Sequence, residues 1–197
     1  MPASIPSAAT ALPPTEHGRR TRDALLDAGV AVAERKGLAG LSVNAVVAEA
    51  GLAKGTFYVH FPDRGAFVAA LHERFYLGVG EAIGTATAGL EPGAERLLTA
   101  IDAYLDACLT SRGVKALLLE ARGESRIGAL VAERQERLAA LAAPNLAAIG
   151  RRDVRLSARL VIAAASEAAL IELERGRRVP GVRRALRDLV GLEPQPR

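Results

Sequence analysis

The 197-residue chain has no tryptophan, one cysteine, one methionine and only four phenylalanines and three tyrosines. A lone Cys108 cannot close an internal disulfide or furnish a cysteine-rich zinc site, which fits a reducing, cytoplasmic setting. β-Branched residues are scarce, which excludes a β-sandwich or barrel. Long apolar runs are missing too. The longest uncharged windows, Pro2–Thr15 and Leu138–Gly150, are too short to span a bilayer and contain proline, so no membrane is expected as a partner. The N-terminus carries Pro2, Pro6, Pro13 and Pro14 among Ala, Ser and Thr. It lacks the basic n-region and unbroken apolar stretch of a secretory signal. Residues 1–18 read as a disordered tail. Catalytic motifs are likewise absent: there is no HExxH, GxSxG, Walker phosphate loop or GxGxxG. The three histidines, His17, His60 and His72, are scattered, and no enzyme, cofactor or metal site is expected.

What remains is rich in alanine and leucine, 50% hydrophobic and 24% charged, which favours helix throughout. Net charge is +4, and arginine outnumbers lysine 23 to 3. A basic excess of this size permits nucleic-acid binding without demanding it. Helical spacing runs from Arg19 to Lys36, with Gly37 and Gly40 ending the helix. Ser42 is the N-cap of a short helix to Ala50, Gly51 stops it, and a second short helix covers Ala53 to His60. Pro62 breaks the chain, and Asp63 caps a longer helix with an apolar face of Phe67, Leu71 and Phe75. Further helices are expected at Glu95–Thr110, Gly113–Arg122, Ser125–Ile149, Val154–Arg175 and Val182–Val190. The expected organisation is all-α: a small helix-turn-helix domain at 19–64 and a larger helical bundle at 65–197.

Ser42 to Arg64, SVNAVVAEAGLAKGTFYVHFPDR, carries the function. It reads as a capped two-turn helix, a tight turn through Gly51 and Leu52, and a second helix presenting polar side chains, which is a helix-turn-helix. Val46, Val47, Ala50, Leu52, Phe57 and Phe61 form the buried side. Lys54 and Tyr58 are one helical turn apart, as are Thr56 and His60, so donors emerge around one short helix that fits a major groove. Gly55 lets the backbone approach base edges, while Lys54, Tyr58 and His60 suit phosphate oxygens. Ser42 and Asn44 open the preceding helix, whose free N–H groups favour a phosphate, and Arg64 opens the next. Structural readings stand beside these: Tyr58 could pack on the first helix and His60 could cap its own. Arg19, Arg20 and Arg22 are either an arm reaching DNA or a solvated helix start.

Through AGLAKGTFYVHFPDR at Ala50–Arg64 and the upstream Arg22–Ala50 segment, about a quarter of the chain, the sequence resembles the TetR family of bacterial transcriptional regulators. The resemblance implies recognition-helix roles for Lys54, Gly55, Thr56, Tyr58 and His60. It implies DNA contacts at Ser42 and Asn44, and a phosphate contact at Arg64. Val47, Ala53, Ala33 and Val59 depart from the family's usual Ala, Ser, Phe and aromatic residue. The resemblance also implies that the last two long helices form a four-helix interface with a second subunit.

In the C-terminal part, Tyr104, Cys108, Glu120 and Glu167 are the candidate ligand-binding residues. Glu167 is a carboxylate in AAASEAALIEL, facing either a ligand or a dimer interface. Few aromatics imply a pocket of Leu, Val and Ala for an apolar effector. The reading is a homodimeric repressor that binds a near-palindromic operator of double-stranded DNA and responds to a small molecule. The alternatives are a helical DNA- or partner-binding protein without an effector and, last, an all-α enzyme using that pocket.

Overall fold

A computed structural model describes residues 15–112 and 125–191, which form eight helices and, among the described residues, no strand. In chain order these are α1 (Glu16–Gly40), α2 (Val43–Ala50), α3 (Lys54–His60), α4 (Arg64–Ala86), α5 (Ala94–Thr110), α6 (Ser125–Ala148), α7 (Val154–Arg175) and α8 (Pro180–Val190). The chain is all-α, an N-terminal helix-turn-helix followed by a larger helical part. The expected helix at 113–122 and the expected tail as far as residue 14 lie outside the described residues.

Where bounds differ from expectation, caps explain the difference. The tail expected through residue 18 ends earlier, because the Thr15 hydroxyl accepts the Gly18 N–H at 3.1 Å and starts α1 at Glu16. At its other end Gly37, with φ 61° and ψ −163°, interrupts the helical backbone one residue after Lys36. Ser42 and Asp63 cap as expected, their side chains accepting the N–H of Ala45 at 3.2 Å and of Ala66 at 2.6 Å. Helix α8 opens two residues before the expected Val182 with Pro180 in its first turn, where a missing N–H costs nothing.

Helix α1 packs on α2 and α4, and α2 packs on α3. Their shared core holds Leu25, Leu26, Val32, Val46, Phe57 and Phe61, each burial being worth ~1.5–3 kcal/mol. Phe67 of α4 completes it, with its ring 5.2 Å from that of Phe57 and 5.0 Å from that of Phe61. The aromatic cluster thus crosses the boundary expected at residue 64. Gly29 lets α1 and α4 approach closely, since a Cβ there would lie 2.5 Å from the Phe67 ring. Arg74 adds a polar tie between the same helices, donating to Asp27 Oδ1 at 2.6 Å and to the Asp23 carbonyl at 3.4 Å.

Beyond this unit α4 runs on against α5 and α6, α7 packs on α5 and α6, and α8 lies on α7. Among the described residues no helix is long and apolar enough to cross a membrane, and no group of three His, Cys, Asp or Glu is placed to hold a metal ion.

Candidate functional site

The turn between α2 and α3 is closed by backbone bonds that require a left-handed residue. Gly51 has φ 65° and ψ 29°, its N–H reaches the Ala48 carbonyl at 3.3 Å, and the Leu52 N–H reaches the Val47 carbonyl at 2.9 Å. Helix α3 then leaves the turn with Phe57 fully buried and Lys54, Gly55, Tyr58 and Val59 exposed. Thr56 and His60 are half-buried at the edges. Tyr58 lies edge-on to Phe57 at 5.5 Å and keeps 49% of its surface accessible. At Gly55 a Cβ would meet nothing within 4 Å, so the backbone there is open to an approaching surface.

The flanking candidates surround this helix. Ser42 and Asn44 are exposed at the start of α2, where the Ser42 hydroxyl serves as cap acceptor and keeps its own O–H to donate. Arg64 is half-buried, and its Nε donates to the Leu41 carbonyl at 2.8 Å, tying the first turn of α4 to the entry of α2. Arg20 and Arg22 contact their own domain. Arg20 pairs with Glu16, and the Arg22 guanidinium sits 5.2 Å above the Phe61 ring.

In the second half of the chain a cavity of about 190 Å3 lies between α4, α5, α6 and α7. Ile83, Leu97, Ile101, Leu138, Leu141 and Ile162 supply most of its apolar wall. Of the four residues expected to bind a ligand, Tyr104 lines this cavity. Cys108, one turn further, is buried in the core and does not line it, and Glu167 is exposed on α7, away from it. Glu120 lies outside the described residues. The sequence reading missed Thr87, Arg96 and Asn145 in the same wall. Asn145, an amide inside the run LAAPNLAA, was a detectable signal, whereas Arg96 was one arginine among many.

Residues 25–71 match the sequence profile of the bacterial regulatory proteins, tetR family. Over these residues the chain is similar to the TetR family. The match takes in α2, the Gly51 turn, α3 and the facing stretches of α1 and α4. Solved structures agree along most of the length. A TetR-like transcriptional regulator from Rhodococcus sp. RHA1 is 24% identical, with a TM-score of 0.71 over 87% of this chain and 93% of that one. The multidrug binding protein EbrR, solved with imidazole, is 25% identical, with a TM-score of 0.69 over 89% and 96%. A TetR-family regulator from Rhodococcus sp. is 19% identical, with a TM-score of 0.75 over 88% and 98%. None of the curated proteins matches the chain.

The four departures from the usual TetR-family pattern fall at distinct places in the fold. Ala53 stands at the N-cap of α3 and offers no side-chain cap bond. Val59 is 80% exposed on α3, an apolar side chain that sequence reasoning did not place in the site. Ala33 and Val47 are buried in the α1–α2 core.

The bundle also holds an ionic cluster that the sequence reading missed. Glu172 of α7 is fully buried; its Oε1 accepts from the Val179 N–H at 2.9 Å and from Arg183 Nε at 2.8 Å, and its Oε2 accepts from a second Arg183 nitrogen at 2.8 Å. Arg183 reaches on to Asp106 at 2.8 Å and Asp102 at 3.3 Å, while Arg187 holds Asp102 at 2.6 Å and Arg178 holds Asp106 at 2.5 Å. Burial works against the Glu172 charge. The hydrogen bonds from Arg183 and the Val179 N–H, with the nearby positive charges, outweigh it and hold the carboxyl below its ordinary range. Glu172 raises the Arg183 pKa in turn, against the cost of burial. The cluster fastens α8 to α5 and α7. Glu167 drew notice in the sequence, but the buried carboxylate of α7 is Glu172.

Proposed function

We propose that the chain is a TetR-family transcriptional regulator, that two copies bind a near-palindromic operator as a repressor and that a small molecule in the C-terminal cavity releases them. The observation that carries the reading is the α2–Gly51–α3 unit: one face of α3 is locked into the Phe57, Phe61 and Phe67 cluster, and the other presents Lys54, Gly55 and Tyr58. Lys54, Tyr58 and His60 contact phosphates, Gly55 and Thr56 meet base edges, and Ser42, Asn44 and Arg64 bracket the backbone on either side. Val59 joins them through an apolar contact of the kind a thymine methyl accepts. The DNA-binding unit is assigned to residues 19–64 and the regulatory unit to residues 65–197.

Dimerisation is supported by an apolar stripe that no described residue of the single chain covers. Leu156 and Leu160 are mostly exposed on α7, and Ala163 and Glu167 continue the same face. Leu189 of α8 is 79% exposed as well. Glu167 belongs to this interface and not to the effector pocket. In the dimer the two recognition helices must stand ~34–36 Å apart to enter successive major grooves. Helix α4 can transmit a change in that spacing. Its first half is joined to the DNA-binding unit through Phe67 and Arg74, and its second half walls the cavity through Gly80, Ile83 and Gly84. A ligand with different affinities for two settings of α4 then shifts operator binding.

The test is selection of bound sites from a random duplex-DNA pool by the purified protein at near-physiological salt. The expected result is a palindrome with half-sites one helical turn apart or a multiple of it. A folded protein that enriches no site would refute sequence-specific recognition and favour a DNA- or partner-binding role without an operator.

A further inference from the structure

The cavity between α4, α5, α6 and α7 has one polar group whose hydrogen-bonding capacity no described residue uses. Thr87 donates its hydroxyl to the Ile83 carbonyl at 2.8 Å. Asn145 is committed at both ends, its Oδ1 accepting the Gly93 N–H at 3.3 Å and its amide donating to the Leu141 carbonyl at 3.4 Å. Tyr104 has interactions of its own. Arg96 is half-buried in the same wall, and it makes no hydrogen bond or ion pair with any described residue. Among the described residues no acidic side chain lines the cavity. Several other arginines of this half of the chain are paired, among them Arg137 with Glu133, Arg159 with Glu136 and Arg183 with Glu172.

A guanidinium does not escape the cost of partial burial by losing its proton, and an anion supplied from outside would offset that cost. We propose, resting on the reading of this cavity as the effector site, that the effector is a carboxylate with an elongated apolar body. Arg96 holds the carboxylate, and the body runs along α5 toward Tyr104. Arg96, Ala100 and Tyr104 share one face of α5 at intervals of four residues, about 12 Å of helix from end to end. Leu97 and Ile101 flank that line, and Ile83, Leu141 and Ile162 face it from the other helices. One guanidinium without a second cation matches a single planar carboxylate, which it binds through two parallel bonds, better than it matches a doubly charged phosphate ester.

Room for the body comes from α4. Gly80 and Gly84 are one turn apart in the cavity wall, and a Cβ at either would meet nothing within 4 Å. Glycine inside a helix costs ~0.5–1 kcal/mol relative to alanine, so two of them facing open space sacrifice helix stability where a ligand body would lie.

The test is calorimetric titration of the whole protein with sodium hexanoate, octanoate and decanoate, each against the alcohol of equal chain length. Wild type is expected to bind at least one carboxylate tenfold or more tighter than its alcohol. Arg96→Gln should lose that preference, keep the alcohol affinity, and unfold at the wild-type temperature, because Arg96 has no partner among the described residues. Gly84→Leu should fill the cavity and abolish binding of both. The proposal is overturned if no carboxylate binds, if alcohols bind wild type as tightly as acids, if Arg96→Gln keeps the preference, or if Gly84→Leu binds normally. Operator affinity measured with the same ligands separates the two readings. A carboxylate that shows the Arg96-dependent preference but leaves DNA binding unchanged upholds the ligand assignment and refutes the effector role.

Discussion

Lys54 and Phe57 stand three residues apart on one short helix and face opposite surroundings, which makes α3 testable residue by residue. Phe57 is anchored among aromatic rings and holds the helix at a fixed attitude, so exposed substitutions can be made without repacking the core. Lys54→Ala should weaken DNA binding across all sequences and reduce the slope of log affinity against log salt by about one, as read by titration at several salt concentrations. An unchanged slope would remove Lys54 from the phosphate contacts. Ala53→Ser should restore a hydroxyl to the uncapped start of α3 and raise stability by about 1 kcal/mol in urea unfolding.

At the scale of elements, two junctions control how helices are held. The α1–α4 crossing depends on the missing side chain of Gly29. Gly29→Ala should push the Phe67 ring aside and destabilise by ~1–3 kcal/mol, with a fall in operator affinity because α4 carries the domain. The α7–α8 junction depends on Glu172. Its carboxyl binds a proton less readily in the folded chain than in the unfolded one, so its contribution is present above the ordinary carboxylate range and is lost as pH falls through its lowered folded value. Glu172→Gln should therefore cost about 3 kcal/mol at neutral pH and flatten the acid limb of the stability curve. Equal acid limbs in mutant and wild type would show that the charge contributes nothing.

For the whole molecule, the exposed stripe of α7 and the spacing of two DNA-reading heads are one prediction. Leu160→Asp places a charge on a side chain that is 71% exposed in the single chain, so the fold should survive while a paired surface would not. Sedimentation is expected to show a dimer for wild type and a monomer for the variant. The variant should lose tight binding to the full palindrome but retain weak binding to a half-site.

The N-terminal unit was legible because its signals are local. Caps at Ser42 and Asp63, the left-handed Gly51, and Phe57 alternating with polar neighbours are each set by residues within one turn of chain, and together they define a helix-turn-helix. Alanine-rich composition likewise determined the all-α class. The pocket and the ionic cluster were not legible, because they join residues far apart in sequence: Arg96 with Ile162, and Glu172 with Arg183 and Asp106. Tyr104 lines the cavity and Cys108, a single turn away, does not, a distinction that follows from how α4, α6 and α7 pack against α5. The sequence by itself determined which segments are helices and which short helix presents donors. Only the tertiary structure decided which charges are neutralised and which cation is left facing an apolar space, because desolvation depends on what the rest of the chain brings alongside.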